Sequence, residues 1–311
     1  MGGTRLVASR GVRAGLALLM ATGLAACGEG RQNEARDGGT GTPTVVASTD
    51  VWGSVAQSVA GGDAEVTSII NSRSADPHSF EASPADAAAI ADASVVVYNG
   101  GGYDKWVDAI LENNPGTAAV DAYKLLDAAA IGEPQPANEH VFYELNTAKA
   151  VANQIASRLA EANPGKAAQF RSRAEEFGSK ADAILKIERT IGKDRPGAAV
   201  VATEPVAHYL LRAAGLVDKT PTGFASAIEQ DTDPAPVDVA ALLDLITKRE
   251  VAALLYNEQT ATAVTRKIRA AADSAGIPVV PVTETLPADS DYLAWQSDTA
   301  DRLAAALRKN P

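Results

Sequence analysis

The sequence is poor in sulfur-containing and aromatic residues. Its 311 residues include one cysteine, Cys27, and two methionines, and aromatic residues make up 5% of the chain. A single cysteine excludes an intrachain disulfide, so the thiol has a use only if something is attached to it. Receptors for organic ligands tend to line their cleft with aromatic residues. The scarcity of aromatic residues therefore disfavours that class of receptor.

Several catalytic motifs are also missing. The sequence contains no His-Glu-x-x-His, no Gly-x-Ser-x-Gly, and no glycine-rich phosphate loop that ends in Lys-Ser or Lys-Thr. It therefore does not predict ATP hydrolysis or either of the hydrolase classes that carry the first two motifs. A metalloenzyme with an open zinc position is the enzymatic alternative. The net charge of −11 disfavours nucleic acid as a partner.

The N-terminal region has the pattern of a secretory signal. A basic start is followed by an apolar stretch, 14–26, which is too short to span a membrane. Its end, Leu24-Ala25-Ala26-Cys27, resembles the lipobox of bacterial lipoproteins, in which cleavage leaves the cysteine as a lipidated N-terminus. We expect a lipoprotein signal peptide over 1–26 and a lipid on Cys27 that holds the protein at the outer face of the cytoplasmic membrane. An ordinary secretory signal with an incidental cysteine is the alternative.

The rest of the chain alternates between two kinds of pattern after a polar start. Residues 27–43 have nothing to bury and predict a flexible tether. From Thr44 onward, β-branched runs alternate with alanine-rich amphipathic stretches. The predicted strands are 44–48, 65–70, 94–98, 198–202, 251–256 and 277–282. Apolar runs separated by helices indicate parallel strands covered on both faces, so the sequence predicts an α/β protein.

The middle of the chain lacks a strand pattern. Between 146 and 191 the sequence predicts one helix to about Ala162, a break at Asn163-Pro164-Gly165 and a second helix. We therefore predict two Rossmann-like lobes with parallel sheets, joined by a long rigid α-helix. The predicted boundaries are 44–165 for the N-terminal lobe, 166–191 for the linking helix and 192–311 for the C-terminal lobe. A single lobe with a helical insertion is the alternative.

Two of the three histidines lie in turn-like segments next to apolar runs. His78 lies in Asp76-Pro77-His78-Ser79-Phe80, and His140 lies in Asn138-Glu139-His140-Val141-Phe142. The proline, asparagine and acidic residues around them predict loops before helices, which present side chains from a rigid scaffold. Both histidines are therefore candidate metal ligands.

These two segments resemble those of a known family of receptors. The chain is similar to the cluster A-I solute-binding proteins, which capture zinc or manganese for an ABC importer. Residues 76–86 are similar to the family's first ligand loop, and residues 138–146 to its second, where the family usually has proline in place of Glu139. The resemblance implies a divalent metal ion as cargo, separate permease and ATPase chains as partners, a lipid-anchored monomer, and no enzymatic activity. A metal-dependent surface adhesin is the alternative function.

The resemblance also implies two metal ligands from the C-terminal lobe. The third position of the family falls on Glu204, and Pro205 fits the first turn of a helix that would begin there. His208 follows four residues later and would lie on the same side of that helix. From the sequence it is open as a ligand, as a neighbour of the site, or as a half-buried histidine packed beside Tyr209.

The fourth position of the family is usually an aspartate and falls here on Glu284, with Asp289 and Asp291 as nearby alternatives. Two imidazoles and two carboxylates, from His78, His140, Glu204 and Glu284, suit zinc, manganese or iron. Calcium and magnesium prefer oxygen ligands, and copper(I) prefers sulfur. The glutamate at the third position resembles manganese-type members, whereas affinity at such a site favours zinc.

Overall fold

The framework consists of two four-stranded sheets, one before and one after a long helix in the sequence. The computed structural model describes residues 41–71, 77–230 and 232–309. Cys27, the predicted signal peptide and most of the predicted tether lie outside the described residues. The strands are β1 Thr44–Thr49, β2 Glu65–Ile70, β3 Val95–Tyr98, β4 Ala119–Asp121, β5 Ala199–Ala202, β6 Val217–Asp218, β7 Leu254–Asn257 and β8 Val279–Val282.

All pairings in both sheets are parallel. The first sheet has the order β2-β1-β3-β4 and the second has the order β6-β5-β7-β8. Every residue of the inner strands β3 and β7 is buried, as expected for a sheet covered on both faces. The predicted α/β class with parallel sheets is confirmed.

Eleven α-helices of the described residues cover and connect the two sheets. A capping box between Ser83 and Asp86 starts α2, and the side chain of Glu144 caps the first turn of α5. None of the described helices is long and apolar enough to cross a bilayer. The helices are α1 Asp50–Ala60, α2 Pro84–Asp92, α3 Lys105–Glu112, α4 Ala128–Ile131, α5 Leu145–Ala162, α6 Ala167–Asp194, α7 His208–Ala213, α8 Thr222–Glu229, α9 Pro236–Thr247, α10 Ala263–Ala275 and α11 Tyr292–Lys309.

Helix α6 joins the two lobes. It has 28 residues and so extends about 42 Å. Buried residues recur along it at helical spacing, from Phe170 and Phe177 to Leu185 and Ile191. It packs against α1 and α5, which precede it in the sequence, and against α7 and α11, which follow it. Because its apolar residues belong to a core cluster that includes residues of both lobes, the helix is packed against both of them.

The parallel topology brings polar side chains to one edge of each sheet. Glu204 lies just after β5, and Glu284 lies just after β8. His78 lies between β2 and α2, and His140 lies between β4 and α5. Ligands of open parallel sheets bind beyond the carboxyl ends of the strands, which is where these segments lie.

Candidate metal centre

Three of the four predicted side chains meet in one cluster. Nε2 of His78 lies 3.2 Å from Oε2 of Glu284, and Nε2 of His140 lies 3.7 Å from the same oxygen. One potential ligand atom from each of the three residues lies within 4.8 Å of the other two. Donor atoms that are each about 2.1 Å from a shared ion have separations of this order.

Glu204 lies on the wall of the same cavity, outside that three-residue group. Its Oε2 accepts a hydrogen bond of 2.7 Å from Nδ2 of Asn257, and its Oε1 accepts one from the hydroxyl of Thr260. The same amide of Asn257 donates to Oε1 of Glu284 at 2.9 Å. The two carboxylates of the C-terminal lobe are therefore connected through a single side chain.

The cavity between these residues is very small. Its volume is about 10 Å³, which is roughly the room that a single water-sized sphere requires. Pockets for organic ligands are typically about 300–1,000 Å³, so the size of this cavity suits a single ion. It is lined by His78, His140, Glu204, Ile228, Glu229, Thr260 and Glu284.

The imidazole of His140 is held in a fixed orientation. The residue is 1% exposed, and Oδ1 of Asn138 lies 3.1 Å from Nδ1 of the ring while also accepting the backbone N–H of His140. An Nδ1–H that donates to this oxygen leaves the lone pair on Nε2, the atom that faces Glu284. Edge-on contacts with the rings of Tyr103 and Phe142 fix the plane of the imidazole.

His78 forms the more open side of the cluster. Its side chain is 22% exposed, compared with 2% for that of His140. Its Nδ1 lies 3.5 Å from Oε1 of Glu139, the residue that stands where the family usually has proline. A hollow of about 550 Å³ beside the cluster is lined in part by His78, Glu139 and Glu229.

The two buried carboxyl groups have opposite electrostatic environments. Burial raises the pKa of Glu204 to about 7, although hydrogen bonds from Thr260 and Asn257 lower it. Burial also raises the pKa of Glu284, but the imidazoles of His140 and His78 more than offset this, so that it lies well below its usual range. The surroundings therefore favour the ionised form of Glu284 more strongly than that of Glu204.

The structure places the third histidine outside the cluster. Nε2 of His208 lies 3.0 Å from the carboxylate of Glu133, which also forms an ion pair with Arg212. The ring packs edge-on against Tyr209 and is about one-third exposed. Of the three roles left open by the sequence, the half-buried histidine beside Tyr209 agrees with this position.

The alternatives to Glu284 also lie away from the cluster. Asp289 and Asp291 are exposed, and neither lines the cavity. Oδ1 of Asp291 accepts the backbone N–H of Ala294 and so caps the first turn of α11. Glu284, in contrast, is 2% exposed and faces both imidazoles.

Sequence reasoning did not identify the side chains that position the cluster. Asn257 and Thr260 hold the carboxylates, Asn138 holds His140, and Tyr103 packs against both imidazoles. A signal for the first two exists, because the apolar run that forms β7 ends directly in the polar sequence Asn257-Glu258-Gln259-Thr260. Polar residues at the carboxyl end of an inner parallel strand are candidates for a binding site.

Comparisons with known proteins show the family of the chain. Residues 45–306 match the family described as "Zinc-uptake complex component A periplasmic". The metal ABC transporter substrate-binding lipoprotein ScbA of Streptococcus cristatus is 24% identical over 251 residues, which covers 77% of this chain and 79% of the relative. The manganese ABC transporter substrate-binding lipoprotein PsaA of Streptococcus pneumoniae serotype 4 is 21% identical over 283 residues, covering 85% of this chain and 89% of the relative.

Solved structures share the fold. The periplasmic zinc binding protein TroA from Treponema pallidum superposes with a TM-score of 0.72 and 19% identity, over 86% of this chain and 99% of that one. The substrate-binding protein FpvC from Pseudomonas aeruginosa, solved in complex with Mn2+, gives a TM-score of 0.70 and 17% identity, over 87% of this chain and 100% of that one. At these identities the likeness shows the two-lobed architecture.

Proposed function

Because the chain belongs to the family of the periplasmic component A of zinc-uptake complexes, we propose that it is the substrate-binding component of an ABC importer for a divalent metal ion. The cargo is Zn2+ or Mn2+, the metals in the names of its relatives and structural neighbours. The permease and ATPase are separate chains. Its relatives are substrate-binding proteins, so its activity is capture and delivery of the ion and not catalysis.

The observation that carries this proposal is the cluster of two imidazoles and a carboxylate in a cavity with room for one atom. The proposed ligands are His78, His140, Glu204 and Glu284. Two carboxylates neutralise the charge of a dication, and two neutral imidazoles complete the donor set. Because the ligands must be deprotonated, binding of the ion competes with protons for the same side chains.

The ligands come from both lobes, so an ion bound by all four connects them. Two hydrogen bonds join the lobes close to the proposed ligands in the sequence. Tyr209 in the C-terminal lobe donates to the backbone oxygen of Asn138 at 2.6 Å, and Tyr143 in the N-terminal lobe donates to that of Thr283 at 3.1 Å. We propose that the ion fixes the relative position of the ligand loops, and that the permease recognises this state.

The proposed anchoring follows from the sequence and from the relatives. Several relatives are named lipoproteins, and Leu24-Ala25-Ala26-Cys27 has the pattern that such a modification requires. We propose a monomer held at the extracytoplasmic face of the membrane by a lipid on Cys27, with a signal peptide over 1–26 and a tether over 27–43. The domain division that we propose is 44–165, 166–191 and 192–311.

Thermal unfolding tests the proposed function. After treatment with a chelator, addition of Zn2+ or Mn2+ should raise the unfolding temperature by several degrees, because a ligand that binds only the folded state stabilises it by about 4 kcal/mol at a thousand times its Kd. Mg2+ at the same concentration is the control and should have little effect, since it prefers oxygen ligands. Unchanged unfolding temperatures with both transition metals would contradict the proposed function.

Replacement of the cysteine tests the anchor. Cells that are fed radiolabelled palmitate should incorporate label into the wild-type protein, whereas the Cys27→Ala variant should incorporate none. The sequence has no other cysteine that could carry a thioether-linked lipid, so the comparison is clear. Equal labelling of the two proteins would refute lipidation at this position.

A further inference from the structure

We propose that Asn257 sets the metal specificity of the site by holding Glu204 and Glu284 as single-oxygen donors, which makes the site four-coordinate and selective for zinc over manganese. This inference rests on the proposed function, because it concerns how the same four residues bind the ion. It adds a residue that does not itself contact the metal and assigns it a positioning role.

The side chain of Asn257 has a fixed orientation. The residue ends β7, which lies between β5 and β8 in the second sheet, and it is 1% exposed. Its backbone N–H donates to Oγ1 of Thr203, and its Oδ1 accepts the backbone N–H of Gln259 at 3.0 Å. Because the amide oxygen already accepts an N–H, the amide nitrogen must point the other way.

The amide nitrogen has two hydrogen atoms, and each carboxylate accepts one of them. Nδ2 lies 2.7 Å from Oε2 of Glu204 and 2.9 Å from Oε1 of Glu284. The remaining oxygen of Glu284, Oε2, is buried and faces the two imidazoles. Glu284 therefore presents one oxygen to an ion and keeps the other on the amide.

Glu204 is held at both oxygens. Asn257 donates to Oε2, and the hydroxyl of Thr260 donates to Oε1. A carboxylate that chelates an ion with two oxygens must turn a lone pair of both toward it, and the two hydrogen bonds restrict the rotation of Glu204 that this would need. Inside a protein, such charge-assisted hydrogen bonds are among the stronger ones. The two donors thus favour binding of the ion through one oxygen of Glu204.

The count of donors then distinguishes the metals. Two imidazole nitrogens and two carboxylate oxygens give four ligands, the number that zinc prefers in a tetrahedral arrangement. Manganese prefers an octahedral, oxygen-rich environment, which would require bidentate carboxylates or added water. The cavity has room for about one sphere of water size, so the ion fills it and an added water ligand would have to occupy the hollow beside His78. Both features of this site favour zinc.

Cobalt spectroscopy combined with competition binding tests the inference on the full chain, purified in detergent. Tetrahedral Co2+ absorbs visible light far more strongly than six-coordinate Co2+, so the spectrum reports the coordination number directly. We expect an intense band for the wild type and a much weaker one for Asn257→Ala, which removes the amide hydrogen bond from one oxygen of each carboxylate. The ratio of the Zn2+ and Mn2+ affinities, from competition with a chromophoric chelator, should fall about tenfold or more in the variant, the usual size of effects outside the ligand sphere.

Two further variants keep the test independent of folding. Thr260→Val removes only the hydroxyl bond to Glu204 and should shift the spectrum and the affinity ratio in the same direction by a smaller amount. Asn114→Ala removes a half-buried asparagine just after α3, whose amide donates to the backbone oxygen of Ile110, and should change neither. A loss of stability alone would lower both affinities equally and leave their ratio constant.

The possible results separate this inference from the proposed function. A weak, six-coordinate spectrum for wild-type protein that binds both metals would overturn the role of Asn257 and leave the receptor function intact. The same conclusion would follow if Asn257→Ala kept the intense band and the wild-type affinity ratio. If the wild type bound none of the three metals, both the receptor function and the inference would be wrong.

Discussion

Replacement of His140 with alanine should weaken the binding of Zn2+ and Mn2+ by more than about a hundredfold. His140 is almost fully buried, its Nε2 faces Oε2 of Glu284 at 3.7 Å, and its Nδ1 lies 3.1 Å from Oδ1 of Asn138. The substitution removes one of four proposed ligands and leaves the others too few to complete a tetrahedral site. Loss of a ligand should exceed the roughly 10–100-fold loss of metal affinity that is typical when a residue that contacts a ligand, but not the metal, is replaced. Competition with a chromophoric chelator measures the change.

His208→Ala provides a matched control. It removes the same atoms from the same residue type, but from a ring that faces Glu133 and does not line the cavity. We expect wild-type metal affinity for this variant. A large loss in His208→Ala, together with a small loss in His140→Ala, would show that the proposed ligands are wrong.

Replacement of Glu188 with methionine should stabilise the protein, by about 2–4 kcal/mol at pH 8. Glu188 lies on α6, is 1% exposed, and neither of its carboxylate oxygens has a hydrogen-bond partner among the described residues. Burial, and to a lesser extent the charge of Glu144, raises its pKa to about 8. Methionine has a similar length, is apolar, and adapts to irregular space.

The sign of the pH dependence follows from this pKa. The folded state holds the proton of Glu188 up to about pH 8, whereas the unfolded chain releases it near 4.5. The folded state therefore binds more protons between these values, and the contribution of this group to stability falls as the pH rises from about 4.5 to about 8. The gain from Glu188→Met should be small at pH 5 and largest at pH 8 and above.

Urea unfolding at pH 5 and pH 8 measures this difference. Glu175→Met, at an exposed position on the same helix, is the control and should change stability by no more than about 0.5 kcal/mol at either pH. An equal gain at both pH values would mean that the benefit of the substitution comes from packing. A loss of stability at pH 8 would contradict the assignment of Glu188 as a destabilising buried charge.

The sequence predicts most of the framework because the inner strands carry a strong signal. The six predicted strands correspond to β1, β2, β3, β5, β7 and β8, with ends that differ by up to three residues. The two that it misses are β4, with three residues, and β6, with two. Both are edge strands, and Val217 in β6 is exposed. Such short, half-covered segments have too little apolar pattern to be recognised without the neighbouring strand.

The candidate site divides in the same way. The chain has only three histidines, so the two in turn-like loops can be identified as candidate ligands from the sequence itself. The resemblance to a family suggests the two glutamates. The residues that orient them become neighbours only through the tertiary fold, as Asn257 does for Glu204, 53 positions away, and for Glu284, 27 positions away. The direction of His208 likewise depends on Glu133, which is 75 residues distant. Spacing along one helix could not decide it.

The most direct test of the central claim is anomalous X-ray diffraction from crystals grown with Zn2+ and, separately, with Mn2+, measured at the absorption edge of each metal. The account predicts one strong anomalous peak per molecule, within about 2.3 Å of Nε2 of His78, Nε2 of His140 and a carboxylate oxygen of each of Glu204 and Glu284. A peak at a different group of residues, or crystals of metal-loaded protein without a peak between the two imidazoles, would contradict it.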